Sequence, residues 1–323
     1  MKILDIENEI WWWKYLPPKK PIIQLRVARI RTTNLLSYFI ELFKIYVKLD
    51  KYDVVITQQD SYETFFISFI NSILGKKKCK HFVNEFITSE KKAGVKSAIK
   101  YFFLRFCLSS VHCFICSSTK EIEYYRSELS LNKTLFVFIP LATDPRFFET
   151  NSNSPGEFII SAGRTGRDYS TLLRAAEKIP YQFKIVAGLN FRNSQMPNNV
   201  SVVHNIPLND FLELIANAKF VVLPLMDKPI SIGQTVLLQS MAMGKAIIAT
   251  RNAGTWDYLD NNVNSILVPP YDEKSLCKAI LFLLDNPSEI IRLGNNAKKN
   301  AREKYMIQKR IKDICSLITE GNL

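Results

Sequence analysis

The sequence predicts an α/β protein of two doubly wound, parallel-sheet domains facing a cleft. Three observations predict it. Short β-branched and apolar runs alternate with longer helical stretches, the pattern of βαβ units. The alternation runs twice, on either side of the polar stretch Asn151-Ser152-Asn153-Ser154-Pro155-Gly156, which reads as a linker. At 323 residues the chain also exceeds the size at which one core keeps growing.

The first set of expected strands covers residues 2–6, 53–57, 81–84, 113–117 and 134–139, with helical stretches such as 35–48 and 61–74 between them. The second set covers 157–162, 183–187, 200–204, 220–225, 246–250 and 265–268. Parallel strands joined by helices need right-handed crossovers, and ligands of such sheets bind beyond the C-terminal strand ends. Residues 288–318 read as one or two packing helices, with Tyr305, Ile307, Ile311, Ile314 and Leu317 apolar against Lys298, Lys299, Arg302 and Lys304. The expected organisation is a Rossmann-like domain over 1–150, a second over 151–304, and a C-terminal helix over 305–323 packing back on the first.

Composition narrows the class. Hydrophobic residues make up 47% of the chain, enough for two cores. No apolar run reaches the roughly 18 residues of a bilayer span. The nearest, 101–116, is broken by Arg105, a Ser pair and His112, and acids at Asp5, Glu7 and Glu9 oppose a secretion signal. A cytoplasmic protein is expected. Six cysteines are too few for a disulfide framework. Cys113 and Cys116 form a C-x-x-C inside a strand-like run, where residues three apart face opposite ways and cannot share a metal. The net charge of +13 is uneven: between Lys76 and Arg105 nine Lys or Arg stand against Glu85 and Glu90. Charge alone does not choose among nucleic acid, anionic lipid and small anions, but no helix-turn-helix or single-strand motif supports nucleic acid.

The chemistry concentrates in two segments. An apolar strand ends at Leu225, a polar loop covers 226–230, and a helix begins near Ser231-Ile232-Gly233-Gln234-Thr235, stopping at Gly244. A helix N-terminus after a strand offers free N–H groups and a positive dipole end to an anion. Gly233 allows close approach, and Thr235 adds a hydroxyl; the bland alternative is an ordinary helix N-capped by Ser231. The second segment, Gly163-Arg164-Thr165-Gly166-Arg167-Asp168, follows the first strand of the C-terminal half. Arg164 and Arg167 suit a diphosphate, since guanidinium groups pair bidentately with phosphate oxygens.

These residues resemble the donor domain of GT-B glycosyltransferases of the group 1, or family 4, type. The resemblance covers most of 157–285 and is carried by Gly163 to Arg167 with the helix at 169–176, by the loop 204–211, by 233–250, and by 252–259 with 264–269. Weaker likeness to the acceptor domain lies in 52–55, 114–121 and 139–144. The resemblance implies a transferase moving a sugar from a UDP- or GDP-sugar to a glycan or lipid-linked acceptor, in bacterial surface polysaccharide or glycolipid synthesis. It implies a donor site of Gly163, Arg164, Arg167, Ile206, Phe211, Ser231, Ile232, Gly233, Gln234, Thr235 and Gln239. No metal or other cofactor is expected. Rival readings are a nucleotide-sugar epimerase and a non-catalytic nucleotide-sugar-binding protein.

The sequence departs from the family in three places. Ser231 and Gln239 stand where the family has two Glu separated by seven residues; by resemblance Gln239 meets the ribose, and Ser231 the sugar or phosphates. Arg167 replaces a Lys, in a loop two residues shorter. Asn84 replaces the acceptor-domain His and is followed by Glu85, which follows a predicted strand and could serve as general base. Asn84, Glu85, Arg164 and Arg167 are the expected catalytic residues.

An anionic membrane surface is a further candidate partner, at the inner face of the membrane. Residues 91–108 read as a helix with Lys92, Lys96 and Lys100 four apart, followed by Tyr101, Phe102, Phe103, Leu104 and Phe106. Trp11-Trp12-Trp13-Lys14-Tyr15 adds aromatics beside charge. The same pattern fits a helix whose aromatics are buried in a core.

Overall fold

The structure, a computed structural model, describes residues 1–6, 24–28, 34–59, 61–75, 79–131, 133–149, 156–191 and 196–320. The tryptophan run at 11–13 and most of the expected linker, 151–155, lie outside the described residues. The chain divides into two compact units, Met1–Pro140 with Arg310–Leu323, and Leu141–Lys309. The sequence reading divides it at 150/151. The short 3₁₀ turn Pro145–Phe148 sends Phe147 and Phe148 into the core of the second unit.

The first unit runs β1 (Lys2–Ile6), β2 (Gln24–Ala28), α1 (Leu35–Val47), β3 (Val54–Gln58), α2 (Tyr62–Leu74), β4 (Lys80–Asn84), α3 (Val95–Leu108), β5 (Cys113–Cys116), α4 (Thr119–Leu129) and β6 (Leu135–Phe138). Its sheet is parallel, in the order β2-β1-β3-β4-β5-β6. β2 is a strand the sequence reading lacks, a short segment with Arg26 amid its apolar residues. Side chains set the helix starts. Asn34 and Ser61 cap α1 and α2, and Ser118 with Glu121 forms a capping box on α4. α3 starts at Val95 rather than at 91 because Gly94 takes a φ of 111°, incompatible with a helix. Both C-x-x-C thiols are buried in β5. Burial pushes Cys113 up to about 12 and Cys116 well above the ordinary value, so neither is a ready thiolate.

The second unit runs β7 (Phe158–Gly163), α5 (Tyr169–Ala176), β8 (Gln182–Ala187), β9 (Val200–His204), α6 (Leu208–Asn217), β10 (Val221–Leu223), α7 (Gln234–Ala242), β11 (Ile247–Thr250), β12 (Ile266–Val268), α8 (Glu273–Asp285) and α9 (Pro287–Lys304). Its sheet is also parallel, in the order β12-β11-β10-β7-β8-β9. Central strands β10 and β11 are buried throughout, as strands covered on both faces must be, whereas edge strand β9 alternates. One core holds Leu223, Leu237 and Met241, the other Phe183, Ile185 and Ile280. The expected terminal helices are α9 and α10 (Ile307–Glu320), and the division of the chain at 309/310 falls within α10.

Candidate active site

In the second unit the chain leaves β7 toward β8 and β9 on one side and returns to β10 on the other. Strand order reverses there, and a crevice opens beyond the C-terminal strand ends at such a point. A cavity of about 500 Å³ occupies it. Gly163 lines it from the end of β7, Arg164 and Arg167 from the loop after it, Val186 and Ala187 from the end of β8, Ile206 and Phe211 from the segment after β9, and Gly233, Thr235 and Gln239 from α7 and its cap.

Local chemistry shapes each wall. Gly233 is the N-cap of α7 with a φ of 89°, and no side chain caps the helix. The sequence offered Ser231 as N-cap; the structure moves the cap to Gly233. There the backbone is left-handed, and a Cβ would stand 2.8 Å from Leu225 Cδ2. With glycine as its cap, the start of α7 presents the positive end of the helix dipole to the cavity, where Thr235 and Val236 of its first turn stand. Gly244, with a φ of 71°, ends the helix as expected, its N–H bonding Met241 O.

The arginine loop is stitched to the strand beside it. Asp168 N–H donates to Pro224 O (2.8 Å), and Met226 N–H donates to Gly166 O (3.0 Å). Arg167 folds back along the loop: Nε donates to Ala162 O (2.8 Å) and Nη1 to Thr165 O (3.0 Å). Its guanidinium lies flat against Gly163, where a Cβ would meet it at 2.3 Å. Burial lowers the Arg167 pKa from its ordinary value, and the group still carries its charge at neutral pH. Tyr169 braces the loop from below, its hydroxyl donating to Gly163 O (2.8 Å). Arg164 is exposed at the cavity wall, so the two arginines differ in kind: one is anchored, the other free to reach a ligand.

Gly163, Arg164, Arg167, Ile206, Phe211, Gly233, Thr235 and Gln239 thus come together around one cavity. Ser231, Ile232 and Gln234 do not line it. Ser231 and Gln234 are each 4% exposed, and Ile232 packs so closely under Gly254 that a Cβ there would stand 2.1 Å from the Ile232 carbonyl. These three buttress the loop ahead of α7. Val186 and Ala187, which sequence reasoning passed over, enter because β8 pairs with β7 through Ala162↔Val186 and Gly163↔Ala187.

Asn84 and Glu85 stand in the first unit, at the end of β4. Glu85 adopts a left-handed φ of 53°, with Gln59 N–H bonding Asn84 O on one side and Phe86 N–H bonding Ile115 O on the other. Asn84 donates to Gln58 Oε1 (2.8 Å). A residue that sequence reasoning missed joins them. Arg310 of α10, 5% exposed, donates to the carbonyls of Ile139 and Pro140, to Asn84 Oδ1 (2.9 Å) and to Glu85 Oε1 (3.3 Å). Glu85 is therefore half of an ion pair with a buried guanidinium.

The chain thus has two parallel-sheet units, the second carrying a cationic cavity at its switch point beside the N-terminus of α7. The family of glycosyl transferases group 1 matches residues 143–304, just over half of the chain, and the chain belongs to that family of glycosyltransferases. A sequence comparison with curated proteins finds no match. Solved structures share the GT-B fold. HepE from Anabaena in complex with UDP is 13% identical with a TM-score of 0.73, over 99% of this chain and 100% of that one. Sucrose-phosphate synthase from Thermosynechococcus elongatus is 18% identical with a TM-score of 0.70, over 99% and 89%. WaaG, a glycosyltransferase of lipopolysaccharide biosynthesis, is 12% identical with a TM-score of 0.66, over 99% and 100%.

Proposed function

We propose that the chain transfers a sugar from a UDP- or GDP-sugar, held in the cavity of its second unit, to a glycan or lipid-linked acceptor of a bacterial surface polysaccharide or glycolipid, working at the inner face of an anionic membrane. One observation carries the donor reading: two arginines and the glycine-capped N-terminus of α7 line the same switch-point cavity. As the bond from anomeric carbon to diphosphate breaks, negative charge grows on the leaving oxygens. Fixed donors aimed at that charge stabilise the transition state more than the ground state. In this reading Arg167, anchored by Ala162 O and Thr165 O, and the start of α7 at Thr235 and Val236 hold the diphosphate, while exposed Arg164 closes on it. Ile206 and Phe211 offer the base an apolar wall, and Gln239 reaches the ribose by a neutral hydrogen bond. The structures of HepE with UDP and UDP-glucose support a uridine donor. Glu85 receives the acceptor proton, and Asn84 beside it holds Arg310, the partner of that carboxylate, in place. The leaving charge is met by side chains and amides, so transfer is expected to proceed in a chelator.

Calorimetric titration with UDP, GDP and UMP tests the reading. One diphosphate should bind, and Arg164→Ala should weaken it at least tenfold, the worth of one charge-assisted contact of about 1.5–3 kcal/mol. Absence of binding by every nucleotide would overturn it.

A further inference from the structure

We propose that the outer face of helices α1, α2 and α3 of the first unit rests on an anionic lipid surface. The inference deepens the membrane-borne acceptor reading given above and rests on it. On α3, Val95, Ile99, Phe102, Phe103 and Phe106 recur at i, i+4, i+7, i+8 and i+11, and all are exposed, Val95 at 75% and Phe102 at 76%. The opposite stripe, Tyr101, Leu104, Cys107 and Leu108, is buried. The helix is thus apolar on both sides, and only one side has a core to enter.

The exposed stripe continues onto its neighbours. Phe69 of α2 lies 5.9 Å from Phe103 and 6.4 Å from Phe106, ring centre to ring centre, and Ile73 and Leu74 at the end of α2 are exposed beside them. α1 repeats the pattern with exposed Leu36, Ile40, Phe43 and Val47, again at i, i+4, i+7 and i+11. Phe39 packs on Tyr62 and Phe66, which joins α1 to α2. Successive crossovers across the sheet put the three helices in one layer. An apolar face spread over three helices exceeds the scattered exposed side chains of an ordinary surface.

Charge selects the occupant. α3 contains no acidic residue, and Lys96, Lys100 and Arg105 flank its apolar stripe, with Lys92 just ahead of it. Among the described residues, Lys96 and Arg105 form no ion pair. Long basic side chains beside aromatics lay their stems on acyl chains and their heads among anionic headgroups. A second copy of the chain fits poorly, because a two-fold contact would set the two lysine rows against each other. At 14 residues α3 is about 21 Å long. No helix among the described residues is long and apolar enough to cross a membrane, so α3 would lie in the interfacial plane.

The test is flotation of the full chain with phosphatidylcholine vesicles, alone or with about one-third phosphatidylglycerol, a strongly anionic surface. Three proteins are compared: the unaltered chain, Ile99→Ser with Phe102→Ser, and Lys92→Glu with Lys96→Glu. The unaltered chain should float with anionic vesicles and fall at least tenfold on neutral vesicles or in high salt. Both double variants should lose at least tenfold. Equal flotation of the variants and the unaltered chain, or no flotation of the unaltered chain, overturns the proposal. So does a concentration-dependent dimer that Phe102→Ser abolishes. Nucleotide calorimetry on the same samples separates the two readings. Failure to bind any diphosphate with flotation intact sinks the donor reading alone, and lost flotation with binding intact sinks the membrane face alone.

Discussion

Replacing Arg310 by Met should destabilise the first unit by about 3–5 kcal/mol, because it orphans three hydrogen-bond acceptors at the ends of β4 and β6. The structure supplies the terms. Methionine keeps the apolar stem and removes the donors to Ile139 O, Pro140 O and Asn84 Oδ1. Orphaning a buried acceptor costs about 1–3 kcal/mol, less where water can enter, as it can at half-buried Pro140. The ion pair adds little: Glu85 is 33% exposed, so solvent screens it to well under about 1 kcal/mol. Arg310→Lys keeps the charge but not the fork that spans four acceptors, and should lose roughly half as much. Urea unfolding followed by circular dichroism measures the total. Hydrogen exchange of peptides from 80–140 and from 141–309 assigns it, with the loss of protection expected in the former. A total below about 1 kcal/mol, or equal deprotection in both regions, would refute the view that Arg310 ties the ends of β4 and β6 together.

Two further outcomes follow from local geometry. Gly163→Ala puts a Cβ 2.3 Å from the Arg167 guanidinium at a φ of 142°. It should cost about 2–4 kcal/mol in stability, from strain and the lost Ala162 bond, and weaken diphosphate binding at least tenfold; unchanged calorimetry would show that Arg167 does not depend on that bare backbone. His81 is buried beside Thr57 Oγ1 (2.8 Å), and burial pulls its pKa from 6.5 to about 3. Its folded pKa lies below its unfolded one, so the unfolded chain binds the extra proton between those values. The stability it contributes is complete above about pH 6.5 and is lost as pH falls toward 3, at up to about 1.4 kcal/mol per pH unit. Urea midpoints across that window should flatten in His81→Asn, and an unchanged slope would show that other groups carry the acid sensitivity.

Much of the fold was legible because its signals are local. Alternation of short apolar runs with helical stretches needs no distant partner, so the two parallel sheets could be read from it. Gly244 stopped α7 where the sequence said, since a left-handed C′ residue is a property of glycine itself. The cavity residues were legible for a related reason: a strand end followed by glycine and arginine, or by a helix start, is a contiguous motif. Ser231 illustrates the limit. As a residue type favoured at an N-cap it was the local choice, but the cap falls two residues later at Gly233, where the backbone is left-handed and Leu225 leaves no room for a Cβ.

By itself the sequence determined the fold class, the family and the loop that carries both arginines, because each depends on neighbours in the chain. Only the tertiary structure decided what depends on distance. Arg310 meets Glu85 across 225 residues of sequence, a pairing no local pattern announces. Arg167 turned out to be anchored and Arg164 exposed, although the two are alike in the sequence. On α3, too, adjacent aromatics parted, Tyr101 inward and Phe102 outward. The physical reason is the same throughout. Residue type and spacing specify what a side chain can do, but burial and partners are set by whichever surfaces the folded chain brings against it.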